Sequence, residues 1–196
     1  MRAIAAIGRA RIPILTIAFT YVLSVAVGIA MASAGSAFAL ERRDSVVGAA
    51  QSSDILVAER AGDHVRAALL DFGANLTLGG VTSTLIGISV VGAYPEVAYR
   101  GWVGGIVSAD ARHQSRLGDP GRALYYLVTL VLQLIPYSIA GGMGVYLGVG
   151  AWRAVRVHRD DVWLGLPRDR LRDVASAYAI VAPLFLVAST WEFFAG

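Results

Sequence analysis

The run ALYYLVTLVLQLIPYSIAGGMGVYLGVGAW, Ala123–Trp152, carries no charged side chain over about 30 consecutive positions. A helix rises 1.5 Å per residue, so this run reaches about 45 Å. Crossing the hydrocarbon core of a bilayer takes about 20 mostly apolar residues. Three further stretches are equally free of charge: Ile12–Leu40, Phe72–Pro95 and Val174–Trp191. Over the 196 residues, 56% are hydrophobic and 16% charged, against roughly 45–50% and 25% in soluble domains. The chain reads as an all-α, polytopic helical membrane protein forming a single membrane domain, 1–196. A soluble enzyme, a disordered chain and a nucleic-acid module are excluded.

Working outward from Ala123–Trp152, Pro136 sits in its middle, where a proline removes a helical hydrogen bond and kinks or breaks the helix. Tyr137 and Ser138 follow, then Gly141, Gly142, Gly144, Gly148 and Gly150. The expectation is a kinked or discontinuous helix at Ile135–Ser138, shielded by protein because open backbone cannot face lipid. Five spans are expected, at 12–40, 72–94, 96–109, 122–152 and 174–195, with Pro95 stopping the second. The third is short and is either a span with polar ends or a re-entrant hairpin. It holds Glu96 and Arg100, four apart and so paired on one helix face, and a Gly101/Gly105 seam. The polar connection 41–71 carries six acids and four arginines. Apolar residues from Ile55 to Leu69 recur there at a helical period. That pattern fits an amphipathic helix on the membrane surface or a short helix packed on the protein's own loops.

All seventeen basic residues are arginine, a composition bias of a GC-rich genome more than a chemical device. They flank the apolar runs as orientation signals do, which outweighs a nucleic-acid reading of the net charge of +3. Arg2, Arg9 and Arg11 place the N-terminus in the cytoplasm, and the six arginines of Arg153–Asp173 place that loop there too. The connection 41–71 is then extracytoplasmic. Asp110–Arg122 also falls outside despite its three arginines; making 96–109 and 123–150 re-entrant would keep it inside. Ala37-Phe38-Ala39 has the small-x-small look of a signal-peptide cleavage site. The preceding apolar run of about 28 residues exceeds the 7–15 of a signal h-region, so a permanent span is expected. Ser24, Gly28, Ala32 and Ser36 recur every fourth residue and make a small-residue face for close approach of another helix. The expected location is the inner (cytoplasmic) membrane.

Cysteine is absent, which removes disulfides, thiolate metal sites and cysteine nucleophiles. His64, His113 and His158 all lie in polar connections, away from where a mid-membrane haem or chlorin ligand sits. No intramembrane protease signature is present, and Ser138 has no base within its span. No catalytic, metal or cofactor site is expected. Glu96, Arg100 and Glu192 are the charges near membrane depth, as an ion or proton path or as a helix-end salt bridge and an interfacial carboxylate. Tyr94, Tyr99, Trp102, Tyr125, Tyr126, Trp152, Trp163 and Trp191 read as an interfacial belt.

The order of these elements resembles the stage II sporulation protein M family of integral membrane proteins. Phe72 and Asn75 open the second span, followed by Gly79, Gly80 and Gly87. Then come Arg100-Gly101-Trp102-Val103-Gly104-Gly105, the in-membrane break Ile135-Pro136-Tyr137-Ser138, the Gly144/Gly148 helix, and Trp191-Glu192-Phe193-Phe194. The resemblance covers roughly residues 70–196. Tyr137 stands at the family's histidine position, Gly141 at its glutamate, and Arg100-Gly101 where the family has Asn-Gly. The resemblance implies a role in an envelope-remodelling complex and no enzymatic activity. The functional expectation is a non-enzymatic subunit or scaffold of a membrane complex, with lipid and other membrane subunits as partners and no nucleic acid. The alternative is a small permease or transport subunit; with no P-loop in the chain, nucleotide-driven transport would need a separate subunit.

Overall fold

The computed structural model describes residues 2–157 and 161–195; His158 and Arg159 of the basic loop lie outside the described residues. The described residues are all-α apart from one two-residue hairpin, Val162–Trp163 with Leu166–Pro167, and an isolated bridge between Ala109 and Ser115. A short α1 (Arg2–Arg9) leads into α2 (Arg11–Ser33), followed by α3 (Ala37–Gln51), α4 (Asp54–Arg60) and α5 (His64–Ala74). From α5 the chain winds without a break into a π-helical stretch, Asn75–Val81, and then α6 (Thr82–Gly87). A tight turn gives α7 (Ala93–Ile106), and a longer connection leads to α8 (Pro120–Arg156) and α9 (Arg168–Phe194). Three of these helices, α2, α8 and α9, are long and apolar enough to cross a membrane.

Local chemistry sets the boundaries. Asp63 accepts from the backbone N–H of Arg66 at 3.0 Å and starts α5. Asp119 accepts from the N–H of Arg122 at 2.9 Å, with Pro120 behind it where a missing N–H costs nothing. Gly35, at φ +71°, turns the chain out of α2, a conformation that glycine adopts without strain. The uncharged run 12–40 is therefore two helices. Ser36 sits at the N-cap of α3, off the face that Ser24, Gly28 and Ala32 share.

Residue pairs fix the direction of each helix. Thr16 meets Tyr94 at 3.2 Å and Gly28 abuts Gly105, so α2 and α7 run parallel. Thr84 meets the Ala140 carbonyl at 2.9 Å and Ile88 lies against Gly148, so α6 and α8 run parallel. Against α9, Ser189 meets Asp71 at 2.6 Å and Tyr178 meets Thr84 at 2.7 Å, which makes α5–α6 antiparallel to it. Tyr125 reaches Glu192 and Tyr146 reaches Asp173, so α8 and α9 are antiparallel as well. The core lies along these contacts, with Ile17, Met143, Val181 and Phe185 fully enclosed. The outer surface is apolar: Phe19, Leu78, Leu124 and Val131 are all exposed, as suits a lipid-facing bundle.

Three expectations change. Helix α8 is continuous through Pro136, so the discontinuous form of that expectation falls, while its shielding by protein holds, since Pro136 is fully buried. The missing N–H costs one hydrogen bond, and enclosure of Pro136 by neighbouring helices holds the helix together around it. Pro95 does not stop the second segment; that helix ends at Gly87, and Pro95 lies in the first turn of α7, where its ring meets no preceding turn. The irregular helix is the second segment, whose backbone widens into the π-helical stretch Asn75–Val81. In the connection 41–71, Ala58, Ala67 and Ala68 bury against Phe193 at the end of α9, while Val57, Val65 and Leu69 stay exposed.

Candidate functional site

Between α7, α8 and the C-terminal end of α9 lies a cavity of about 730 Å³. It reaches from Tyr137, in the middle of α8, towards Val46 of α3 and Arg116 of the α7–α8 connection. Tyr137 and Tyr125 are twelve residues apart on one helix, so the wall they share is about 18 Å long. Glu96, Arg100 and Glu192 all line this space, which joins in one site the three charges expected near membrane depth.

Glu96 and Arg100 form an i,i+4 ion pair on α7. The Ser83 hydroxyl donates to Glu96 Oε1 at 3.2 Å, and Arg100 Nη2 donates to the Leu78 carbonyl in the π-helical stretch at 3.2 Å. The guanidinium also lies 5.1 Å from the centre of the Tyr137 ring, within range of a cation–π attraction. Arg100 thus ties α7 to the second segment and to α8, with Glu96 neutralising its charge.

Behind Tyr137 runs a second polar chain. The Tyr137 hydroxyl donates to Asn75 Oδ1 at 2.5 Å, and Asn75 Nδ2 donates to Asp71 Oδ2 at 2.8 Å. The Ser189 hydroxyl donates to the same oxygen at 2.6 Å. Asp71 and Ser189 were not among the expected site residues, although Asp71 lies four residues before Asn75, the spacing of a helical pair. Ser138 belongs to neither chain: its hydroxyl is buried with no hydrogen-bond partner among the described residues.

Glu192 is held from α8. Its backbone carbonyl accepts from the Tyr125 hydroxyl at 2.7 Å, and its carboxylate accepts from Gln133 Nε2 at 3.2 Å. Trp191 beside it donates to Thr129 Oγ1 at 3.2 Å and stacks on Tyr125 at 6.2 Å. The long Tyr125 and Gln133 side chains of α8 thus converge on Glu192 from two turns of that helix, one on its backbone and one on its carboxylate. Gln133 was not expected at the site, because a neutral amide inside an uncharged run gives no signal of its own.

The small residues build the frame. A Cβ on Gly28 would sit 2.9 Å from Gly105 Cα, and one on Gly101 would sit 3.1 Å from Ser24 Cβ. Ala32 is buried on the same face. A Cβ on Gly144 would lie 2.9 Å from Thr84 Cα, and one on Gly148 would lie 3.0 Å from Ile88 Cα. Backbones touch where these residues meet, so α7 and α8 are positioned by main-chain contact while their other faces line the cavity.

At the opposite end polar contacts join α1, α8 and α9. Arg9 Nε donates to Asp173 Oδ2 at 2.8 Å and the Tyr146 hydroxyl donates to it at 3.1 Å. Arg170 donates to the Tyr146 carbonyl and lies 4.2 Å from that ring's centre. No group of three or more potential metal ligands occurs among the described residues. The chemistry the site offers is recognition: an ion pair, a carboxylate held by an amide, and tyrosine faces. Searches against family models, characterised proteins and solved structures return no match for this chain.

Proposed function

We propose that this chain is a non-enzymatic, multi-pass membrane protein that takes a small polar solute into its bundle from one end. It belongs on this reading with the small permeases and transport subunits. The observation that carries the proposal is the cavity of about 730 Å³ lined by Glu96, Arg100, Gln133 and Glu192. Small-molecule sites occupy about 300–1,000 Å³ and present a few placed polar groups on largely apolar walls. Ionisable groups inside a membrane bundle mark solute or ion paths by default. A pure scaffold has no use for such groups around an open space.

The proposal includes five crossings: α2, the second segment through α5 and α6, α7, α8 and α9. Its support is the alternation of direction set by the Thr16–Tyr94, Thr84–Tyr178 and Tyr146–Asp173 contacts. With the arginine-rich ends of α1 and α8 in the cytoplasm, the cavity opens to the extracytoplasmic side. The resemblance of the ordered motifs over residues 70–196 to the stage II sporulation protein M family enters the proposal from the sequence alone, and partner subunits would supply any energy coupling.

The test uses the cysteine-free background. Val103→Cys lines the cavity and Val131→Cys faces outward at 51% exposure. A charged, impermeant methanethiosulfonate added to intact cells should label Val103→Cys and leave Val131→Cys, in lipid, unmodified. Ser52→Cys should be labelled and Arg156→Cys should not. An unreactive Val103→Cys beside a reactive Ser52→Cys would overturn the solute-entry reading.

A further inference from the structure

The charges around the cavity are not balanced where they sit. Arg100 is neutralised by Glu96 on its own helix. Among the described residues, the Glu192 carboxylate has the neutral Gln133 amide as its one hydrogen-bond donor. Gln133 lies thirteen residues into α8, about 20 Å from the start of that helix. A carboxylate in such surroundings is costly unless a proton or a cation neutralises it. Asp71 of α5 and Glu59 of α4 are acidic groups whose charge reaches it. From the remaining elements, Tyr125 of α8 and Arg116 of the α7–α8 connection line the same space, and His64 of α5 lies 6.0 Å from the neighbouring Phe194. Arg116 makes no hydrogen bond or ion pair with the Glu192 carboxylate among the described residues, although it lines the same space.

The walls add a second, independent feature. Tyr21, Tyr99, Tyr125, Tyr126 and Tyr137 all line the cavity, and aromatic faces attract cations by their quadrupole. Arg100 already makes that contact with Tyr137, at 5.1 Å. Deepening the solute-entry proposal, on which this one rests, we propose that the cavity binds a monovalent organic cation. Its charged nitrogen or phosphorus sits beside Glu192 and its apolar groups lie against the tyrosine rings. A proton and the cation compete for one carboxylate. When the empty site is protonated, binding breaks the carboxyl O–H bond, releases that proton to solvent and leaves an ion pair, with no covalent bond formed. Protonation removes the charge that holds the ligand, so affinity falls as pH falls.

The probe is benzyltrimethylammonium, titrated calorimetrically into the purified full chain in mild detergent at pH 8. Glu192→Gln should weaken binding at least tenfold, with helical content and melting unchanged, and Arg116→Ala should strengthen it. Lowering the pH from 8 to 5 should weaken binding in the unmutated chain, with proton uptake by the buffer. Neopentylbenzene, the neutral carbon isostere, should not compete. Binding that is independent of pH, or competition by the isostere, overturns the proposal even where Glu192→Gln fails to fold. So does binding of the zwitterion phenylalanine in place of the cation. If Val103→Cys is labelled and no cation binds, solute entry stands and the cation site falls. If Val103→Cys is unreactive, both fall.

Discussion

Helix α7 has two faces that obey opposite rules. Towards α2 it offers Gly101 and Gly105, and the two backbones touch. Towards α8 and α9 it offers Glu96, Arg100 and Val103, and the helices stand apart around a cavity. On the first face there is no side chain to move, so the fit is rigid and any added atom must displace backbone. On the second face every contact is made by a side-chain tip, and the partners can rearrange. One short helix therefore anchors the bundle and lines its cavity, and substitutions on the two faces should fail in different ways.

The largest effect is expected on the dry face. Gly28→Leu drives its Cβ to 2.9 Å from Gly105 Cα, and overpacking against backbone costs about 3 kcal/mol. Thermal unfolding in detergent should show this as a large fall in Tm, while Val22→Leu, at an exposed position, should leave Tm unchanged. Equal Tm for the two variants would break the contrast between the faces.

Next comes the ion pair. Removing one partner strands the other in a half-buried site, at about 2 kcal/mol after allowance for partial exposure. Glu96→Gln and Arg100→Gln should each melt below the Glu96→Gln/Arg100→Gln double variant. Strictly additive losses would mean that the two groups act separately. Smaller again is Tyr137→Phe, which keeps the ring against Phe185, at 4.9 Å, and deletes the hydrogen bond to Asn75. A loss of about 1 kcal/mol is expected, with the Arg100 contact retained. A much larger loss would show that the Asp71–Asn75–Tyr137 chain holds the cavity wall.

The smallest effect lies outside the bundle. The Arg43 guanidinium, and after it His113, hold the Asp44 carboxyl below its usual range. A depressed folded-state value means that the contact is at full strength at neutral pH. It is lost as pH falls from the ordinary carboxylate value through the folded one. His113 Nε2 meets Asp44 at 2.9 Å and Arg43 Nε donates to the Ala109 carbonyl at 3.1 Å, so the connection after α7 should loosen in acid. Hydrogen-exchange protection at Asp110–Ser115, measured against the intrinsic rate at each pH, should fall with falling pH, and Asp44→Asn should flatten that fall.

Where an interaction depends on spacing along one helix, the sequence shows it. The small residues at 24, 28 and 32 and the pair at 96 and 100 share a face by helical geometry alone. Charge-free runs likewise announce long apolar helices. What the sequence hides is set between helices. Pro136 looks like a break, yet burial among neighbours holds α8 through it, an outcome decided by residues on other segments. Asp71 reads as the end of a polar loop, and only Ser189, 118 positions away, makes it part of the interior. Gln133 is invisible for the same reason, since its role comes from Glu192. The uncharged run 12–40 conceals its turn because Gly35 is one small residue among many.

The π-helical stretch Asn75–Val81 acts as a phase adjuster. A wide turn of this kind holds one more residue than the α-helix it interrupts, and one residue corresponds to about 100° of rotation. Upstream, Asp71 and Asn75 point at Ser189 and Tyr137; downstream, Thr84 and Gly87 point at Ala140 and Gly144. Both sets face the same pair of helices only because the extra residue resets the angle between them. A one-residue deletion within 75–81 would restore an ordinary helix and swing one set towards the lipid. Along this segment, lineage change by substitution is therefore open at many positions, while change in length is closed.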